Sequence, residues 1–156
     1  MNIICRSAKE VIKASESIKA SSERNDCFVY ALGTSFDLNY DEAHAVVKTT
    51  FKRGDRIGTK SSMVDSIFTG MINSGMKLNS KRVTARMDKP TSVYINSGKE
   101  VARAMQVGSF AKKYSVGTYL ILVASHALTI RDGIVIDNNN DRSVKSRVKR
   151  AYMIEG

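Results

Sequence analysis

The 156-residue sequence predicts a single α+β domain, with helices in its first half and strands in its second. Three observations carry this. Segments before Gly75 show helical spacing of apolar residues with helix start and stop signals. The stretch "GTYLILVASHALTIRDGIVIDN", from Gly117 to Asn138, is rich in β-branched and aromatic residues and is broken by a hairpin signal. One Pro, ten Gly and no internal repeat or low-complexity tract argue against a long linker.

Taken in order, "SAKEVIKASESIKASSER" predicts a short amphipathic helix from Ala8 to Lys19, through Val11, Ile12 and Ile18. A polar bend follows, Ser21 to Asp26. "CFVYALGTSF" predicts a buried helix opening at Cys27 and ending near Gly33, with Asp26 or Asn25 as N-cap. "NYDEAHAVVKTTFKRGD" predicts a helix with Asp41 and Glu42 in its first turn and Lys52 and Arg53 in its last, as the helix dipole prefers. Ala43, Val46, Val47 and Phe51 mark its apolar face and Gly54 its stop. Another helix runs through Met63, Ile67 and Met71 to Gly75.

"TSVYI" predicts a strand, and "NSGKEVARAMQVGSFAKKY" reads as mixed and helical in part, with a turn of helix over Ser109 to Tyr114. Two strands around "RDG" come next. Alternation in "RSVKSRVKRAYMIE" predicts a last strand.

Apolar residues make up 42% of the chain and charged residues 26%, a globular balance. No segment approaches the roughly 18 apolar residues of a membrane span. The N-terminal apolar run is too short for a signal peptide. Two cysteines, Cys5 and Cys27, make no disulfide framework. The expectation is a cytoplasmic protein with reduced thiols and no membrane partner. No cofactor is expected. The cysteines and histidines have no metal-ligand spacing, so His44 reads as structural or as a surface residue near the site, and "RGDRIGTKSS" lacks P-loop spacing.

Chemistry concentrates around Cys27, His126 and Asp137. If Asp132 and Gly133 are the turn residues, Arg131 pairs with Ile134 and His126 lies opposite Asn139. His126 and Asp137 then share a sheet face as diagonal neighbours, while Asn138 points away. Asp137 can accept the proton of one ring nitrogen, which fixes the tautomer and favours the imidazolium. The other nitrogen is free for a thiol. A helix N-terminus and a nearby imidazolium both favour a thiolate nucleophile. Asn139 is the reserve orienting residue.

The stretches "ERNDCFVYALGTSFDLNYDEAHAVV" and "GTYLILVASHALTIRDGIVIDN" resemble the papain-like cysteine peptidase superfamily, most closely the small single-domain versions of bacteriophages and bacteria. The resemblance covers residues 21–53 and 117–138. It implies Cys27 as nucleophile, His126 as base and Asp137 as orienter, acting on an amide or thioester of a protein or peptide substrate through an acyl-enzyme. It further implies a papain-like fold, with the Cys-bearing helix packed on a C-terminal antiparallel sheet. A phage-encoded protein would work in the host cytoplasm. The oxyanion would be held by the backbone N–H of Cys27 and one side-chain donor. Here the chain departs from the family pattern. Papain-like enzymes place a Gln several residues before the Cys. This chain has Ser21 and Ser22 there, and its only Gln is Gln106. Asn25 is the nearest substitute. A missing donor costs roughly 10²–10³ in rate.

The charge supports a second reading. Twenty-five Lys and Arg face fifteen Asp and Glu, a net charge of +10. Such a surface attracts polyanions, RNA and DNA included. "RSVKSRVKR" holds five cations, Arg142, Lys145, Arg147, Lys149 and Arg150. As a strand it would place Lys145, Arg147 and Lys149 on one face and Val144 and Val148 on the other. Lys81, Arg82 and Arg86 form a second cluster, and Lys112 and Lys113 a third. Tyr94, Tyr114, Tyr119 and Tyr152 would stack bases if exposed. In this reading the fold is catalytically inactive and the basic surface binds nucleic acid. Both readings stay open on the sequence, which leaves the oligomeric state undetermined.

Overall fold

The computed structural model describes residues 3–14, 17, 26–54, 58–137 and 144–156. Asn25, Asn138, Asn139 and Arg142, and with them the side-chain oxyanion donor and the reserve orienter, lie outside these residues.

The fold is α+β and is built on a six-stranded sheet. The elements are β1 (Ile4–Ser7), α1 (Ala8–Val11), α2 (Cys27–Phe36), α3 (Tyr40–Thr49), α4 (Ser61–Ser74), β2 (Arg82–Asp88), β3 (Thr91–Asn96), β4 (Lys99–Ala104), α5 (Val107–Lys113), β5 (Thr118–Val123), β6 (His126–Arg131), β7 (Ile134–Asp137) and β8 (Arg150–Glu155). The strand order is β1-β7-β6-β5-β8-β2, and β3 and β4 form a separate hairpin. Pairing within the sheet is antiparallel except between β1 and β7, which run parallel. The expected antiparallel sheet therefore gains one parallel strand at its edge.

Both sheet faces are covered. Leu120, Leu122, Ala127 and Ile136 face a core shared with α1 to α4. Ile121, Val123, Leu128 and Ile130 face a second core closed by Val107, Phe110 and Ala111 of α5. Burial on both faces is why β5 reads "TYLILV", with no polar alternation.

α2 is buried on every side, from Phe28 to Phe36. Sheet, α1 and α3 enclose it, so that even Thr34 and Ser35 are buried. It does not end near Gly33. It continues to Phe36 and stops at Asp37, whose φ is +57°. Gly33 answers to packing instead. A Cβ there would lie 3.0 Å from the Leu38 carbonyl oxygen, 3.1 Å from Ile12 Cδ1 and 3.3 Å from Ala43 Cβ. Glycine lets the chain pass that closely.

Other boundaries also move. Of the helix expected from Ala8 to Lys19, the described part holds α1, Ala8–Val11, and residues 15, 16, 18 and 19 lie outside the described residues. α1 is capped at Ile12, and Lys13 turns left-handed with φ +55°. α3 opens on an Asn39–Glu42 capping box. It ends at Thr49, before Lys52 and Arg53, because Lys52 has φ +54°. α4 stops at Gly75 as expected, with φ +70°. The mixed segment resolves into β4 and α5. The turn before β4 is Ser97–Gly98, with φ of +52° and +77°. Among the described residues of the basic run, 144–150, the strand begins only at Arg150. Val148 is buried and donates its N–H to the Met105 carbonyl, and Arg147 makes an isolated bridge with Gln106. Tertiary anchors thus replace a ladder.

Candidate active site

Three elements converge at one end of the sheet. α2 opens with Cys27, β6 opens with His126 and β7 closes with Asp137. The β6–β7 register follows from a two-residue turn. Asp132 and Gly133 have φ of +50° and +77°, the left-handed pair of a type I′ hairpin. Arg131 pairs with Ile134, Ile130 with Val135 and Thr129 with Ile136. That parity leaves Asp137 on the His126 face.

His126 Nε2–H donates to Asp137 Oδ1 at 2.7 Å. The Asp137 side chain is 1% exposed and the His126 ring 14%. The hydrogen bond to Asp137, and a second interaction with the Cys27 side chain, hold the His126 pKa up to about 10 against the opposing effect of burial. The ring is therefore an imidazolium at neutral pH. Cys27, His126 and Asp137 are brought together by the fold.

α2 is pinned from two sides, along its length by β6 and at its start by α3. Thr129 Oγ1 on β6 donates to the Ala31 carbonyl at 3.0 Å and pairs with Ser35 Oγ at 2.9 Å. Asp26 does not cap the helix with its side chain. Instead the Tyr40 hydroxyl donates to Asp26 Oδ2 at 2.6 Å. A buried tyrosine hydroxyl needs an acceptor, and this one ties α3 to the residue before Cys27. Burial, then the Asp26 charge, pushes Tyr30 up to about 12. With no side-chain cap, the first N–H groups of α2, Cys27 included, keep their capacity to hold an anion.

Cys27 and His126 line a cleft of about 900 Å³. Its other walls are the approach to α4, from Gly58 to Ser61, the β5–β6 turn, and the pair Lys149 and Arg150. Thr59, Lys60, Ser61 and Ser125 belong to this wall, and sequence spacing had no signal for them. They reach Cys27 through the packing of α4 and the turn of a hairpin.

The basic clusters disperse. Lys81 pairs with Asp37 at 3.1 Å, and Arg86 with Asp65 at 2.7 Å. Arg147 donates to the Ala104 carbonyl at 2.8 Å. Lys145, Arg147 and Lys149 are exposed while Val148 is buried, so the alternation persists without the expected strand. Arg82 is exposed on β2, and Lys112 and Lys113 are exposed in the last turn of α5. Tyr119 and Tyr152 are buried and unavailable for stacking on bases. His44 is buried with its ring 6.0 Å from that of Tyr40.

Among the described residues no helix is long and apolar enough to cross a membrane. Comparison with protein-family models, curated proteins and solved structures finds no match to this chain.

Proposed function

We propose that the protein is a cysteine-dependent peptidase or amidohydrolase of papain-like type, with Cys27 as nucleophile, His126 as proton carrier and Asp137 as orienter. One observation carries the reading. A single cleft holds a thiol at a helix N-terminus and an imidazole whose Nε2 is committed to a buried carboxylate. That commitment leaves Nδ1 for the thiol. A thiolate beside an imidazolium is the nucleophilic state of such a pair.

The steps follow. Cys27 Sγ bonds to the substrate carbonyl carbon. The developing oxyanion takes hydrogen bonds from N–H groups at the start of α2. The carbon–nitrogen bond breaks as His126 gives its proton to the leaving amine. Water then attacks the thioester, His126 accepts one of its protons, and the carboxylic acid leaves as the Cys27 thiolate is restored beside the imidazolium. Asp137 holds the ring in one tautomer throughout.

An aryl ester tests the acylation step without knowledge of the natural substrate. With p-nitrophenyl acetate we expect a stoichiometric burst of nitrophenolate and an acetyl group mapped to Cys27. Cys27→Ala should lose the burst. An equal burst in Cys27→Ala, or acetyl spread over lysines with Cys27 unmodified, would contradict the reading.

A further inference from the structure

The cleft around Cys27 is cationic, and its charges come from three separate parts of the chain. Lys60 stands at the N-cap of α4, and Lys149 and Arg150 lead into β8. All three line the same cavity as Cys27 and His126. Among the described residues, Lys60 and Lys149 have no carboxylate within ion-pair distance, whereas pairs form at Lys81 and Arg86. Arg150 is held at the wall by looser pairs, 3.7 Å to Asp65 and 3.6 Å to Asp88.

Two helix N-termini add to the same field. The first residues of α2 and α4 line the cleft, and neither first turn contains an acidic residue or a side-chain cap. Their free N–H groups present partial positive charge. One further polar atom belongs to a wall residue. Thr59 Oγ1 is buried and makes no hydrogen bond among the described residues. A buried hydroxyl of this kind calls for a partner. The acidic residue in the wall, Asp26, is engaged by the Tyr40 hydroxyl.

We infer that the cleft selects an acidic peptide, one whose carboxylates flank the scissile carbonyl and are met by Lys60, Lys149 and Arg150. This rests on the acyl-transfer reading of Cys27 and adds its substrate class. Low-dielectric walls focus the field of grouped cations, so a carboxylate gains in local concentration as well as in contact. An oligonucleotide would need phosphate contacts spread along a strand. Here the unpaired charges converge on one concave site, and several cations elsewhere already have partners.

The test compares two alkylating probes of similar size, anionic iodoacetate and neutral iodoacetamide, at Cys27 and low salt. An ordinary thiolate reacts more slowly with iodoacetate. Here iodoacetate should react faster. In Lys60→Glu/Lys149→Glu the iodoacetate-to-iodoacetamide ratio should fall by about tenfold or more. A glutamate-rich peptide should protect Cys27 from iodoacetate in the wild type. A ratio below unity that the double substitution leaves unchanged would overturn the inference. So would protection by oligothymidylate but not by the peptide, which would make nucleic acid the ligand. Failure of the underlying reading shows elsewhere, as iodoacetamide reactivity that ignores His126.

Discussion

Asp137→Ala is expected to cost about 3–5 kcal/mol, because it removes the buried carboxylate that holds the half-buried His126 ring as an imidazolium. The Asp137 side chain is 1% exposed and holds His126 at 2.7 Å. Asp137→Asn separates charge from shape. In that variant the His126 ring, followed by NMR, should titrate about 1–3 units lower than in the wild type, where the pKa stands at about 10. The sign for stability follows from linkage. The folded pKa lies above the unfolded value of about 6.5, so the ring's contribution is complete below that pH. It is lost as the pH rises through about 10. Wild-type stability should therefore decline across this alkaline window, and Asp137→Asn should flatten the decline. Identical titration in both proteins would show that Asp137 does not hold the ring charge.

Phe68→Ala is expected to destabilise by about 3–5 kcal/mol, the range for a fully buried aromatic. Phe68 is 0% exposed, and its ring centroid lies 4.8 Å from that of Tyr152, 5.5 Å from Phe51 and 6.2 Å from both Phe28 and Phe36. It joins α4 to α2, β8 and the segment after α3. Thermal unfolding should move down by roughly 10 °C or more. Ile95→Ala is the control, since Ile95 is 68% exposed and such changes usually stay within about 0.5 kcal/mol. Equal shifts for the two would contradict this packing. The consequence reaches the site, because α4 carries Lys60 and Ser61 into the cleft wall.

The parts of the site legible in the sequence are those governed by local rules. Asp132–Gly133 is a turn signal, and a two-residue turn determines which residues share a face. The relation of His126 to Asp137 followed from counting. Cys27 stood at a polar-to-apolar boundary, which is where α2 begins. The helix stop at Gly75 and the Asn39 start of α3 have the same local character.

What escaped the sequence depends on distant partners. β1 is four residues long and exists because Ile4 to Ser7 pair in parallel with Ile134 to Asp137. Nothing in "ICRS" announces that. β2 is largely exposed, with Val83 its buried residue, so its cations read as a surface cluster and its strand was missed. Gly33 looked like a stop because glycine often is one. Its role is contact with Leu38, Ile12 and Ala43, which only the packed fold reveals. Asp26 looked like a cap, yet Tyr40 claims its carboxylate. The cleft wall shows the same limit most clearly. Lys60 and Lys149 are far apart in the chain, and no spacing rule connects them.

The most direct test of the central claim is the rate of Cys27 alkylation by iodoacetamide across pH, in wild type and His126→Ala, with peptide mapping to separate Cys27 from Cys5. If Cys27 and His126 act as a nucleophilic pair, the wild type reacts well below pH 8, and the substitution slows it by at least about tenfold at neutral pH. A profile that rises near pH 8.5, as for an isolated thiol, and that is unchanged by His126→Ala would contradict the account.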